Sequence, residues 1–319
     1  MEQFDYRNFR LGVDLGGSKI AAGVIDADYT IIGRAEAPTM PEKGFSAVAD
    51  AIAGVAEMAV VNAGLDPRNF RTMGVGSPGV IDPENGVVVS AANLKWDNVP
   101  LAATLSERTG MRVTVGNDAN CAALGEVLAG SAAGKSSALM ITLGTGIGGG
   151  LVLDRKIYAG FNGAAGEVGH VIISVDGRLC GCGRKGCWES YASVTGLLRT
   201  TREVMEKYPE SILWNMVSGD LSKLNGLTPF DAMRANDPAA REIVSLYIKH
   251  LAAGLIGLIS ILQPEMVCIG GGISNEREYL LDPLQRLVDE ANFMPSVPQP
   301  VITRALLGND AGIIGAAAL

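Results

Sequence analysis

Four side chains near the middle of the chain have the types and spacing of a metal site. His170, Cys180, Cys182 and Cys187 read H-x9-C-x-C-x4-C, around the stretch RLCGCGRKGCWES at 178–190. Three of the five cysteines and one of the two histidines are gathered here. A Cys₃His set suits tetrahedral Zn²⁺, and four protein ligands leave no open position, so the metal would be structural. Glycines between the thiols let the backbone wrap an ion. Two other readings use the same residues. One is three ordinary small residues in a Gly-rich loop; the other is a C-x-C redox pair, which leaves His170 and Cys187 without a part. An odd cysteine count and adjacent glycines weaken a disulfide reading. Cys121 and Cys268 fall in apolar helix and strand patterns and read as core residues.

A second kind of chemistry is suggested by glycines. LGVDLGGSKIAAGVID (11–26) aligns with LMITLGTGIGGGLVLD (139–154) at an offset of 128 (139 − 11). Leu11, Leu15, Gly16, Val24 and Asp26 match Leu139, Leu143, Gly144, Val152 and Asp154. Each segment is an apolar run, a Gly-rich turn and a second apolar run, which predicts strand, turn, strand once in each half. Gly144, Gly146 and Gly149 spell G-x-G-x-x-G, but GGGLVLDRKIYAG continues as a strand and its return, whereas a dinucleotide fingerprint opens a helix. One such turn needs only glycine's freedom at positive φ. Two matched turns carrying Asp14, Ser18 and Lys19, and Thr142 and Thr145, look like a pair of phosphate clamps closing from two domains.

A third candidate is Asp118, where the strand RVTV (112–115) gives way to a helix over ANCAALGEVLAG (119–130). At a helix N-terminus a carboxylate is held ionised, as a proton acceptor requires. An N-cap would use the same residue equally well.

The elements that must position these groups are legible in outline. Periodicity predicts a helix over 45–64 and a strand over 72–82. The pattern is mostly helical over 192–250, with breaks near Pro209 and at 225–229; a strand-to-glycine turn follows at 265–274 and a last apolar helix at 310–319. The chain of 319 residues is long enough for two domains, and its 41 glycines suit an α/β enzyme with many tight turns. A net charge of −8, without a basic stripe, argues against a nucleic-acid partner. The start MEQFDYRNFRLGVDLGG has no apolar h-region, and LAAGLIGLISIL (251–262) is short for a membrane span, so the cytoplasm is the expected location and no membrane is involved.

The ordered set DLGGSK (14–19), GSPGVID (76–82), NDAN (117–120), LGTGIGGG (143–150), GEVGH (166–170), CGCGRKGCWE (180–189) and GGGIS (270–274) resembles the ROK family of sugar kinases, most closely its bacterial ATP-dependent glucokinases. The resemblance spans nearly the whole chain. It implies an α/β fold of the actin-like ATPase (ribonuclease H-like) type, duplicated, with a cleft between two domains. The small domain would be 1–117 plus 306–319, and the large one 118–305, carrying the zinc loop. The implied reaction is ATP-dependent phosphorylation of a hexose at its 6-hydroxyl. Glucose comes first, with N-acetylmannosamine, fructose or allose as alternatives. Asp118 would be the base. Gly79, Asn93, Asn117, Glu167, His170 and Glu189 would bind the sugar. The same four zinc ligands are implied, with His170 serving both zinc and sugar. Gly16, Gly17, Ser18 and Lys19 would form the first phosphate loop, and Gly144, Thr145, Gly146 and Gly148 the second. Gly270, Gly271 and Gly272 would pass close to adenosine, and Asp14 would help hold Mg²⁺. Ser18 stands where the family's commonest spelling has Thr, and it keeps the hydroxyl. The family also contains sugar-sensing repressors with a winged helix ahead of the first phosphate loop. Only thirteen residues precede Asp14, too few for that domain. A homodimer or dimer of dimers is implied.

Overall fold

A computed structural model describes residues 6–319. Its strands are β1 (Arg10–Leu15), β2 (Lys19–Ile25), β3 (Ile31–Pro38), β4 (Thr72–Ser77), β5 (Val80–Asp82), β6 (Val87–Ala91), β7 (Trp96–Val99), β8 (Arg112–Asn117), β9 (Ala138–Leu143), β10 (Ile147–Leu153), β11 (Lys156–Ile157), β12 (Met266–Gly270) and β13 (Val301–Arg304). The α-helices are α1 (Phe45–Asn62), α2 (Leu101–Thr109), α3 (Asp118–Ala129), α4 (Glu189–Ala192), α5 (Val194–Met205), α6 (Ile212–Met216), α7 (Thr228–Arg234), α8 (Pro238–Leu262), α9 (Asp282–Glu290) and α10 (Asp310–Ala316).

The glycine repeat is a repeat of topology. One sheet runs β3-β2-β1-β4-β8 and another β11-β10-β9-β12-β13, so the matched hairpins β1/β2 and β9/β10 occupy corresponding places. In the first sheet β1 pairs antiparallel with β2 and parallel with β4, and β4 pairs parallel with β8. In the second, β10–β11 is antiparallel and β12–β13 parallel. IGGGLVL (147–153) is strand β10, with no helix opening at its glycines, as the return through β11 requires. A small sheet β5-β6-β7 completes the strands. The stretch read as one strand over 72–82 is two, because Gly79 has φ +99° and breaks it.

By internal contacts the chain divides into two compact units, one of Met1–Met140, Gly150–Gly166 and Leu306–Leu319, the other of Ile141–Gly149 and Glu167–Ala305. The expected edge at 117/118 therefore falls inside the first unit. The reason is a close helix crossing: a Cβ on Gly125 of α3 would lie 2.2 Å from the Ala311 carbonyl oxygen, and one on Gly315 of α10 would lie 1.7 Å from that of Cys121. At the far end of α3, the fully buried Glu126 carboxylate accepts from the N–H groups of Ser131 at 2.7 Å, Leu306 at 3.1 Å and Leu307 at 2.8 Å. A buried carboxylate needs such donors, and here they fasten the C-terminal segment to α3.

The core of the first unit lies between its sheet and α1 and α2, with Val13, Leu15, Ile20, Ile52, Ala56, Val75, Leu101 and Leu105 in one cluster. In the second, Ile243, Val244, Tyr247, Leu251 and Leu255 of α8 are buried, as are Trp188 and Phe230. The twelve apolar residues at 251–262 are the end of the 25-residue α8, longer than their sequence pattern alone suggests. Among the described residues α1 and α8 are long and apolar enough to cross a membrane, and 39% and 56% of their most apolar windows are buried inside the protein. Core helices meet the same length and composition test.

Candidate active site

In the first unit β1 carries Asp14 and Leu15 into the turn at Gly16–Ser18, and β2 leaves it at Lys19. The turn closes through the Gly16 N–H on the Lys19 carbonyl at 2.8 Å. Thr39, which is buried, donates its hydroxyl to the Gly16 carbonyl at 2.7 Å and its N–H to the Ser18 carbonyl at 3.0 Å. Asn93 stands beside this turn: a Cβ on Gly17 would come within 3.5 Å of the Asn93 Cβ. Lys19 Nζ meets Glu36 Oε1 at 3.1 Å in a half-exposed pair. Such a pair is worth little in water, so it competes weakly with a phosphate for the lysine.

Asp118 is the first residue of α3, and the capping position falls to its neighbour. Asn117 has extended backbone and its Oδ1 accepts from the Asn120 N–H at 3.0 Å. The other end of that amide donates to the Gly79 carbonyl at 3.0 Å. Asn117, predicted to offer its amide to a sugar, thus has both ends engaged and positions Gly79 and Asp118; one amide hydrogen and one lone pair remain. Asp118 Oδ1 accepts from the Ala119 N–H at 2.8 Å.

Asp14 and Asp118 feel each other's charge. Burial first, and then the Asp118 carboxylate, push the Asp14 carboxyl up from 3.8 to about 6, against the pull of Lys19. Gly312 of α10 leaves it room, since a Cβ there would lie 2.7 Å from the Asp14 carboxyl carbon. Because the folded-state value is the higher one, the native state holds more protons than the unfolded state between about pH 4 and pH 6. Stability therefore falls as pH rises through that window, by an amount on the order of 3 kcal/mol. In Mg²⁺-free buffer Asp14→Asn is expected to match the parent near pH 4 and to be more stable above pH 6. Urea unfolding at pH 4.5 and pH 8 reads the difference; a variant equally or less stable at pH 8 contradicts it.

The second unit holds the other glycine turn. There the Gly144 N–H donates to the Gly146 carbonyl at 3.0 Å. The Val194 N–H reaches the Gly144 carbonyl at 2.9 Å, and the Thr195 hydroxyl the Thr145 carbonyl at 2.7 Å. Gly148 lies in β10. Gly270 ends β12, and Gly271, at φ +94°, packs so closely that a Cβ would stand 2.1 Å from the Leu143 carbonyl oxygen. Among the described residues, chain neighbours aside, no heavy atom lies within 4 Å of a Cβ built on Gly144 or Gly272.

The four metal-ligand candidates come together. Cys182 Sγ and Cys187 Sγ are 3.6 Å apart, Cys180 Sγ and His170 Nδ1 3.8 Å, and all four ligand atoms lie within 4.8 Å of one another. A tetrahedral ion with Zn–S bonds of 2.3 Å has ligand-to-ligand edges of about 3.8 Å. The donor set and its spacing therefore fit a four-coordinate zinc. Hydrogen bonds from Arg184 hold the Cys182 thiol down to about 6, which favours the thiolate a metal needs. With Nδ1 turned to the thiols, His170 Nε2 points to Glu167, 3.9 Å from its Oε2. Glu189 opens α4, with Oε1 3.7 Å from Cys180 Sγ and Oε2 accepting from the Ile147 N–H at 3.0 Å. One carboxylate thus ties the thiol cluster to the second glycine turn.

Three contributors carry no sequence motif. Arg178 clamps the thiol loop to the helices that follow, reaching the Ser190 carbonyl at 3.2 Å, Thr200 Oγ1 at 3.0 Å and Glu203 Oε2 at 2.5 Å. Thr39 and Thr195 grip the two glycine turns.

The chain is similar to known proteins over nearly its whole length. The sequence model of the ROK family matches residues 10–319. A glucokinase of Thermotoga maritima is 39% identical over 311 residues, covering 97% of this chain and 96% of its own. A glucokinase of Streptomyces coelicolor is 37% identical over 317 residues, with 97% and 96% covered. Among solved structures, a ROK family glucokinase from Streptomyces griseus, in complex with glucose and AMPPNP, superposes with a TM-score of 0.79 at 35% identity, covering 97% of this chain and 98% of that one.

Proposed function

The chain belongs to the ROK family and has its duplicated actin-like fold, and from that premise we propose that it is an ATP-dependent glucokinase, transferring the γ-phosphoryl group of ATP to the 6-hydroxyl of glucose. The observation that carries this reading is the position of Asp118: it opens α3 beside Asp14, while Asn117 does the capping. A carboxylate so placed is available to take a proton.

Phosphoryl transfer asks the protein for positioning, charge stabilisation and a base. Asp118 accepts the proton of the 6-hydroxyl as its oxygen bonds to the γ-phosphorus, and the bond to the β-phosphate bridge breaks to leave ADP. The turns at Gly16–Lys19 and Gly144–Gly148 hold the phosphates through backbone N–H groups, and Gly270–Gly272 lie against the adenosine. Asp14 would hold Mg²⁺, through water, since that ion keeps several waters and takes few carboxylates; bound there it would neutralise charge on the phosphate oxygens. Glu167, His170 Nε2, Glu189, Gly79, Asn93 and Asn117 are the sugar-binding residues of this reading.

His170 Nδ1, Cys180, Cys182 and Cys187 belong to the same proposal as a structural zinc site. A ligating imidazole is oriented by what its second nitrogen meets, so the ion would fix the Nε2 that faces Glu167. The assembly that goes with this reading is the homodimer or dimer of dimers that the resemblance implies.

The test is ADP release from MgATP across glucose, N-acetylmannosamine, mannose, fructose and allose. Turnover is expected to be strongest on glucose. A preference for N-acetylmannosamine would move the substrate while keeping the chemistry, and no turnover on any of the five by folded, zinc-loaded protein would overturn the kinase reading.

A further inference from the structure

Each glycine turn is gripped from outside by a threonine hydroxyl. Thr39, just past the end of β3, donates to the Gly16 carbonyl at 2.7 Å; Thr195, in the first turn of α5, donates to the Thr145 carbonyl at 2.7 Å. A backbone N–H takes a neighbouring carbonyl in both cases, Thr39 on Ser18 at 3.0 Å and Val194 on Gly144 at 2.9 Å. The Thr195 contact is not a helix habit. Thr200 and Thr201 of the same helix donate to carbonyls four residues back, Gly196 and Leu197, whereas Thr195 reaches out of α5 to the turn.

The consequence follows from peptide geometry. In a trans peptide the C=O and the following N–H point in opposite directions, and no cis peptide occurs among the described residues. Fixing the Gly16 carbonyl on Thr39 turns the Gly17 N–H away from Thr39. Fixing the Gly144 and Thr145 carbonyls on α5 turns the Thr145 and Gly146 N–H groups away from that helix. The next N–H, of Ile147, goes to Glu189. Successive N–H groups aimed to one side make an anion-binding concavity, and the threonines set that aim.

We propose that Thr39 and Thr195 are positioning residues for phosphate binding: each acts on the nucleotide through the peptide whose carbonyl it holds. This rests on the reading of the two turns as ATP phosphate loops. It assigns a nucleotide role to two side chains that no glycine motif contains, one buried and one exposed.

Valine removes the hydroxyl and keeps the shape; serine keeps the hydroxyl. Thr195→Val is the decisive variant, because its exposed site gives folding little reason to fail. Titration calorimetry on the full, zinc-loaded chain would measure MgATP and adenosine side by side, with steady-state KM values for MgATP and glucose. Thr195→Val is expected to weaken MgATP roughly five- to tenfold, the worth of about one hydrogen bond. Adenosine affinity and the KM for glucose should stay within twofold, and Thr195→Ser should restore MgATP binding. Thr39→Val should act in the same direction. If the parent binds MgATP and Thr195→Val binds it equally well, or loses adenosine as much as MgATP, the positioning role is overturned and the kinase reading stands. A parent protein that binds no nucleotide would overturn both.

Discussion

Replacing Asp118 with asparagine is expected to lower kcat by about a hundred- to ten-thousandfold, the range that a positioned general base supplies, while the KM values for glucose and MgATP change little. Asparagine preserves size and can still accept from the Ala119 N–H as Asp118 Oδ1 does at 2.8 Å. Capping of α3 would survive as well, because Asn117 performs it. Loss of turnover in a variant that unfolds in urea at the parent's midpoint would therefore report on proton transfer. The neighbouring substitution is the control. Asn117→Ala removes the cap on Asn120 and the amide on the Gly79 carbonyl together, so it should lose about 1 kcal/mol of stability and raise the KM for glucose. If Asp118→Asn kept more than a tenth of parental kcat, the base would have to be sought elsewhere.

That contrast also marks where sequence reasoning reaches its limit. Asn117 and Asp118 are adjacent and both are good N-caps, so a one-residue uncertainty in where α3 begins exchanges their roles. The glycine turns were legible because near-continuous apolar runs flank them and the pattern recurs once. The thiol cluster was legible because four ligand-type side chains lie within eighteen positions (170–187). Thr39 and Thr195 were not: their hydroxyls hold carbonyls 23 and 50 residues away, and a hydroxyl-to-carbonyl bond across that span leaves no local pattern. The crossing of α3 and α10 was hidden for the same reason. It depends on Gly125 and Gly315 being small where two helices meet, and a single glycine in a helix does not announce its partner.

Removing one of the proposed zinc ligands is the other change with a large expected effect, and the cluster's geometry predicts that it will be felt at the substrates. Cys187 is fully buried and Cys182 exposed. Cys187→Ser should cost bound zinc and, through it, several kcal/mol of stability, because a structural ion's binding energy is folding energy. The Gly-rich loop has little apolar packing of its own, with Leu179 67% and Ile172 53% exposed, so the ion would reinforce Arg178 and backbone bonds such as the Ile173 N–H on the Gly186 carbonyl at 2.9 Å. Freed from the metal, His170 would lose the orientation that presents Nε2 toward Glu167, and Glu189 would lose its neighbour at Cys180 while keeping the Ile147 N–H. The KM for glucose should then rise by about tenfold or more, and the KM for MgATP by less. Elemental analysis for zinc, thermal unfolding with and without a chelator, and the two KM values read this out separately. By linkage, glucose should in turn raise the chelator concentration needed to strip the zinc at equilibrium. A zinc-free variant that stays folded and keeps its KM for glucose would show the loop to be a passive staple, with the sugar contacts held by the helices behind it.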